Sequence, residues 1–423
     1  VWIYSLLCLV LLSLYISFSA LAIILGLAVA NAGECDQRLS RLCYVHMETD
    51  IPKSFDGPSG ELMQAISALS IGLLYLHSKD RAHLKRLFGV LEKNSIEDRT
   101  VQCETTILSS AFGIVFILLD KSFDFEPDDY DESTQALRDL CITERLLIYS
   151  FESTNESLIC AGLVALGLIY QRTENSFISK KLALPQSIGD ILAIKPNVLL
   201  VKTIAYCLVM WNDVVPDINW VYHVIPKVIR ENLPAVFKKL FKNLSGENKN
   251  TRSDINILNE LSGNSKSGEH INYTSFYLDI ITGILFVMGI KYAGSHNKKA
   301  LDLYMFVYDS LVFELKQSAN SELKSAQSRL NHSLLRLRSA TILQAMTVIT
   351  AGSGNIEIMK RIWERSLRSS IVFAPSATYG EHLCIHQSLG FLFLGGGLYT
   401  FNSDRPQDVA SLFLALYPIY PQM

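Results

Sequence analysis

The stretch "ALSIGLLYLHSKD", Ala68 to Asp80, decides how this chain is read. An apolar run surrounds one glycine, Gly72, and then stops at polar residues. The same phrase returns along the chain. "LAIILGLAVANAG" covers 21 to 33, "SSAFGIVFILLDK" 109 to 121, and "LVALGLIYQRTEN" 163 to 175. "AYCLVMWND" covers 205 to 213, "FVMGIKYAGSHN" 286 to 297, "AMTVITAGSGN" 345 to 355, and "SLGFLFLGGGLY" 388 to 399.

The phrases align on a small central residue: Gly26, Gly72, Gly113, Gly167, Cys207, Gly289, Thr347 and Gly390. The steps between these positions are 46, 41, 54, 40, 82, 58 and 43. Most lie near the period of a two-helix solenoid repeat. The step of 82 contains a Ser-, Asn- and Gly-rich segment, 243–272, and the step of 54 contains an acidic one, 122–138. Neither has the apolar content to bury a face, so both read as insertions, the first of them disordered.

Small residues recur four apart, as in Ala22, Gly26 and Ala30, or Gly289 and Ala293. That spacing places them on one helix face. Glycine in a helix costs about 0.5–1 kcal/mol relative to alanine, so its repetition points to close helix approach. A large side chain follows three residues later: Tyr75, Phe116, Tyr170, Tyr292 and Phe393. Eight residues past the small residue stand Asp80, Asn175, Asn297 and Asn355. These suit the N-cap of a following helix, where a side-chain oxygen accepts an orphan N–H. Each unit then reads as an apolar inner helix, a tight turn, and an outer helix with a charged face. The expectation is an all-α, toroid-like α-solenoid of about eight helical hairpins, forming one repeat domain over 1–423.

The totals agree with a large buried core. Apolar residues make up 49% of the 423 and charged residues 19%. A net charge of -3 excludes a general nucleic-acid binder, which needs a basic excess. The eight cysteines contain no CxxC pair. Those inside apolar runs read as reduced, buried thiols. Val1 to Gly33 carries no charge and is long enough to span a bilayer, so a multi-pass membrane protein anchored by residues 1–30 is an alternative reading. The chain opens on Val1 without a Met and reads as part of a longer protein.

The phrases "VMGIKYAGSHNKKALDLYMFVYD", "AMTVITAGSGNIEIM" and "YGEHLCIHQSLGFLFLGGGLYTF" resemble proteasome/cyclosome repeats. These repeats occur in the two largest non-ATPase subunits of the proteasome regulatory particle and in the largest subunit of the anaphase-promoting complex. The fit is better to the latter family. "LLLVKTIAYCLVMWNDVVPDINWVYHVIPKVIREN", 198 to 232, carries its paired tryptophans, Trp211 and Trp220. The resemblance covers about residues 20 to 420. It implies a ring of helical hairpins and a non-catalytic scaffold in a multisubunit ubiquitin ligase that drives cell-cycle transitions. It implies cullin, RING, Doc-homology, tetratricopeptide-repeat and coactivator partners, in nucleus and cytoplasm. It implies no cofactor, small-molecule substrate or nucleic acid. A proteasomal base scaffold remains the second alternative. The first 17 residues are more apolar than the family pattern, which leaves an anchor or a misassigned gene start open.

Sharper chemical readings are weak. A phosphate loop needs Lys and Ser or Thr after its glycines, whereas Leu398 and Tyr399 follow Gly395–Gly397. "AGSGN" fails the dinucleotide pattern, and no G-x-S-x-G occurs. His382 and His386 share a helix face beside Glu381, but a metal site wants a further ligand, so packing is expected there. No catalytic, cofactor-binding or metal residue is expected. Trp211 and Trp220 flank a turn and are candidates for partner anchors or for core.

Overall fold

The structure, a computed structural model, describes residues 18–48, 58–96, 103–119, 139–232, 273–320, 326–366 and 378–419. The insertions expected at 122–138 and 243–272, and the first 17 residues, lie outside the described residues. Among the described residues every regular element is a helix. The chain divides into two compact units, Val1–Lys181 and Leu182–Met423.

The first unit contains α1 (Phe18–Ala30), α2 (Gln37–Glu48), α3 (Pro58–Leu74), α4 (Arg81–Ile96), α5 (Cys103–Leu118), α6 (Ile142–Phe151) and α7 (Glu156–Ile169). The odd-numbered helices stack side by side in chain order, α1 on α3, α3 on α5, and α5 on α7. The even-numbered ones pack each on the inner helix that follows it. The sequence dictates this division. From Ala161 to Ile169, α7 is buried at every position. A helix apolar all round must be covered on all sides. In α4 the buried residues are Leu84, Leu87, Phe88 and Leu91, spaced three, one and three apart, which makes a single stripe.

The helix α8 (Ser176–Leu182) runs up to the unit boundary, and the second unit opens with the short α9 (Ile188–Ala193) and repeats the scheme. Its inner helices are α10 (Pro196–Val209), α13 (Tyr273–Lys291), α15 (Ala326–Ile349) and α17 (Tyr379–Leu392), again stacked in order. The short helices α11 (Ile218–Val224) and α12 (Lys227–Glu231) follow α10. The outer helices α14 (Lys298–Asn320) and α16 (Ile356–Ser366) pack on α15 and α17. A last helix, α18 (Pro406–Ala415), turns back onto α13, where Phe413 meets Phe286 edge-on at 5.4 Å. Burying one such side chain stabilises by about 1.5–3 kcal/mol.

Among the described residues, α13 is the one helix long and apolar enough to cross a membrane, and 89% of that apolar window is buried inside the unit. The family of stacked helices is thus an all-α solenoid, with its apolar helices covered by one another.

Candidate functional site

The repeating feature of both units is the junction between one hairpin and the next. An α-helix leaves its last carbonyls without partners. Here the turn of the preceding hairpin supplies them. Gly33 N–H donates to Leu73 O and Cys35 N–H to Leu74 O, both at 3.0 Å. His77 N–H donates to Phe116 O at 3.0 Å and Lys79 N–H to Ile117 O at 3.2 Å. In the second unit Gly294 and His296 donate to Val348 O and Ile349 O at 3.0 and 3.1 Å. Gly352 and Gly354 donate to Phe391 O and Leu392 O, both at 3.0 Å.

Each donor pair stands two residues apart, and both members have positive φ, for example 61° and 54° at His77 and Lys79. Arg172 and Glu174 have the same conformation, 64° and 52°. A left-handed residue other than glycine costs about 1–2 kcal/mol. Its repetition at Cys35, His77, Lys79 and His296, each bonded to the following inner helix, shows that the junction over-determines the backbone.

The expected caps sit beside this ladder. Asp80 Oδ1 accepts from Ala82 N–H at 2.8 Å and His83 N–H at 3.0 Å. Asn175 accepts from Phe177 and Ile178 at 3.0 and 3.1 Å, and Asn297 from Ala300 at 3.1 Å. Asn355 accepts from Glu357 and Ile358 at 2.9 and 3.2 Å.

The glycine positions divide. A Cβ on Gly72 would meet the backbone of Gly113, and one on Gly113 would lie 2.8 Å from Ala68 O. A Cβ on Gly289 would lie 2.9 Å from the Ala345 Cβ. Gly167 is buried in α7. Gly26 and Gly390 depart from the expectation: both are exposed, and a Cβ at either would meet nothing within 4 Å. The reason for Gly26 is register. Counting back from the donor turn, its structural counterpart is Ala28, which is 1% exposed. The cap then falls on Asp36, whose Oδ1 accepts from Arg38 and Leu39 N–H at 2.7 and 3.3 Å. Gly390 lies on an exposed face of α17.

Sequence reasoning also passed over Gly283, where α13 approaches α10: its Cβ would lie 3.0 Å from the Thr203 Cβ. It passed over the ionic core as well. Glu381 is 3% exposed. Its two oxygens are taken by Arg336 Nη2 at 2.7 Å and Arg365 Nη2 at 2.9 Å. Arg365 also donates to Ser339 Oγ at 2.7 Å and Arg336 O at 2.8 Å. Glu381 is therefore an arginine clamp on α17, and the His382 and His386 rings beside it stand 6.4 Å apart, centroid to centroid. Asp279 on α13 is fully buried and pairs with Arg338 on α15 at 2.7 Å. Burial pushes the Asp279 carboxyl up to about 6, against the pull of Arg338. The available signal was charge inside an apolar helix, one carboxylate in "YLDIITGILF" and two arginines in "LLRLRSATILQ".

Trp211 is core, 6% exposed, and its carbonyl accepts from Lys291 Nζ at 2.7 Å. Val214 O accepts from the same ammonium at 2.8 Å, so Lys291 caps this turn. Trp220 is half-buried on α11. Cys43 and Cys207 are buried, and burial raises both thiols to about 12, which leaves them inert. No group of three or more metal-ligating side chains occurs among the described residues.

Residues 37–423 match the family described as the APC1 fifth domain. The chain belongs to that family. The APC1 fifth-domain match covers both units from α2 onward. Among relatives, anaphase-promoting complex subunit 1 of Arabidopsis thaliana is 24% identical over 425 residues, covering 95% of this chain and 24% of that protein. The protein of the same name from Homo sapiens is 24% identical over 433 residues, covering 95% of this chain and 20% of its own length. The "Negative regulator of mitosis" of Emericella nidulans is 24% identical over 418 residues, with 96% and 18% covered. The chain thus spans a quarter or less of the length of these relatives. The APC1 fifth domain in this chain is the stacked-hairpin array described above.

Proposed function

We propose that this chain is a non-catalytic scaffold segment of an anaphase-promoting complex subunit. That complex is a multisubunit ubiquitin ligase acting in mitosis, in the nucleus and cytoplasm. The observation that carries the reading is the family match over 37–423. The architecture supports it. Turns are bonded to the next helix, and the buried Asp279, Arg336, Arg338, Arg365 and Glu381 of the second unit are paired with one another. Such an array holds a rigid surface, and a rigid repeat surface serves binding. The proposed partners are the other subunits of the complex, including cullin, RING, Doc-homology and tetratricopeptide-repeat subunits and the coactivator.

The test is affinity purification of the tagged parent protein without detergent, with co-eluting proteins identified by mass spectrometry. Recovery of a cullin subunit, a RING subunit and tetratricopeptide-repeat subunits is expected. Recovery of a proteasomal ATPase ring, or recovery only in detergent without those subunits, would overturn the reading.

A further inference from the structure

We draw no further inference here: the strongest candidate, the exposed apolar face of the last inner helix α17, where Tyr379, Leu383, Leu389 and Phe393 stand uncovered, carries none because nothing in the structure shows whether a further hairpin, a second copy or a partner protein covers it.

Discussion

A Cβ on Gly72 would lie 2.7 Å from the carbonyl oxygen of Gly113, and nearer still to its Cα. The two glycines let α3 and α5 cross with backbone against backbone. Gly72→Ala should therefore force the helices apart and destabilise the first unit by about 1–3 kcal/mol. Gly390→Ala has open space around it and should be neutral or stabilising by up to about 1 kcal/mol. Urea denaturation of the two variants beside wild type checks the pair. Equal midpoints would remove the close-approach argument.

The arginine clamp gives a second prediction. Glu381→Gln leaves Arg336 and Arg365 buried without their shared carboxylate, which typically costs about 3–5 kcal/mol. Replacing all three by Leu and Met should recover most of that loss, because the desolvation of three charges disappears with them. Chemical denaturation of the single and triple variants separates the two effects.

Asp279 makes stability depend on pH in an unusual direction. Its folded pKa is about 6, raised by burial above the ordinary 3.8. The native state therefore holds the extra proton between those values, and unfolding releases it. Stability at this site falls as pH rises through the window from about 4 to about 6, and the full loss is present above it. Asp279→Asn should be less stable, with Arg338 left buried and unpaired. It should also lack this fall, which thermal melts across pH 4 to pH 7 would show as diverging Tm curves.

The second unit's turns should report on its C-terminal segment. Thr400 Oγ1 donates to Ala351 O at 3.1 Å and Ser403 Oγ to Lys291 O at 3.0 Å. This segment runs directly over Gly294 and Gly352. Gly294 has a φ of 63°, and a Cβ there would strike Phe401 O. Gly294→Val should release residues 398–405 and loosen α18. Hydrogen exchange at Phe413 and its neighbours should rise while exchange in α16 stays slow.

The caps give a smaller effect. Asp36→Ala and Asn355→Ala should each cost about 0.5–2 kcal/mol. A silent Asp36→Ala would contradict the register that places Ala28, and not Gly26, in the first junction.

Much of this array was legible in the residues themselves. Composition and spacing establish a helical repeat because a helix apolar on all sides has to be covered by others of its kind. A polar cap after each such run marks where the chain reverses. Asp80, Asn175, Asn297 and Asn355 follow from that local chemistry, since a cap bonds to backbone only two or three residues away. What the sequence left undecided was every quantity set between hairpins. Gly26 and Ala28 are equally small, and only the neighbouring helix selects between them. Gly283 was no more prominent than Gly390, yet one faces Thr203 and the other open space. Arg336, Arg365 and Glu381 lie 16 to 45 residues apart and become one cluster only when α15, α16 and α17 pack. Local hydrogen bonding and burial are written along the chain. Register and charge pairing are properties of two surfaces meeting, and the tertiary structure alone determines them.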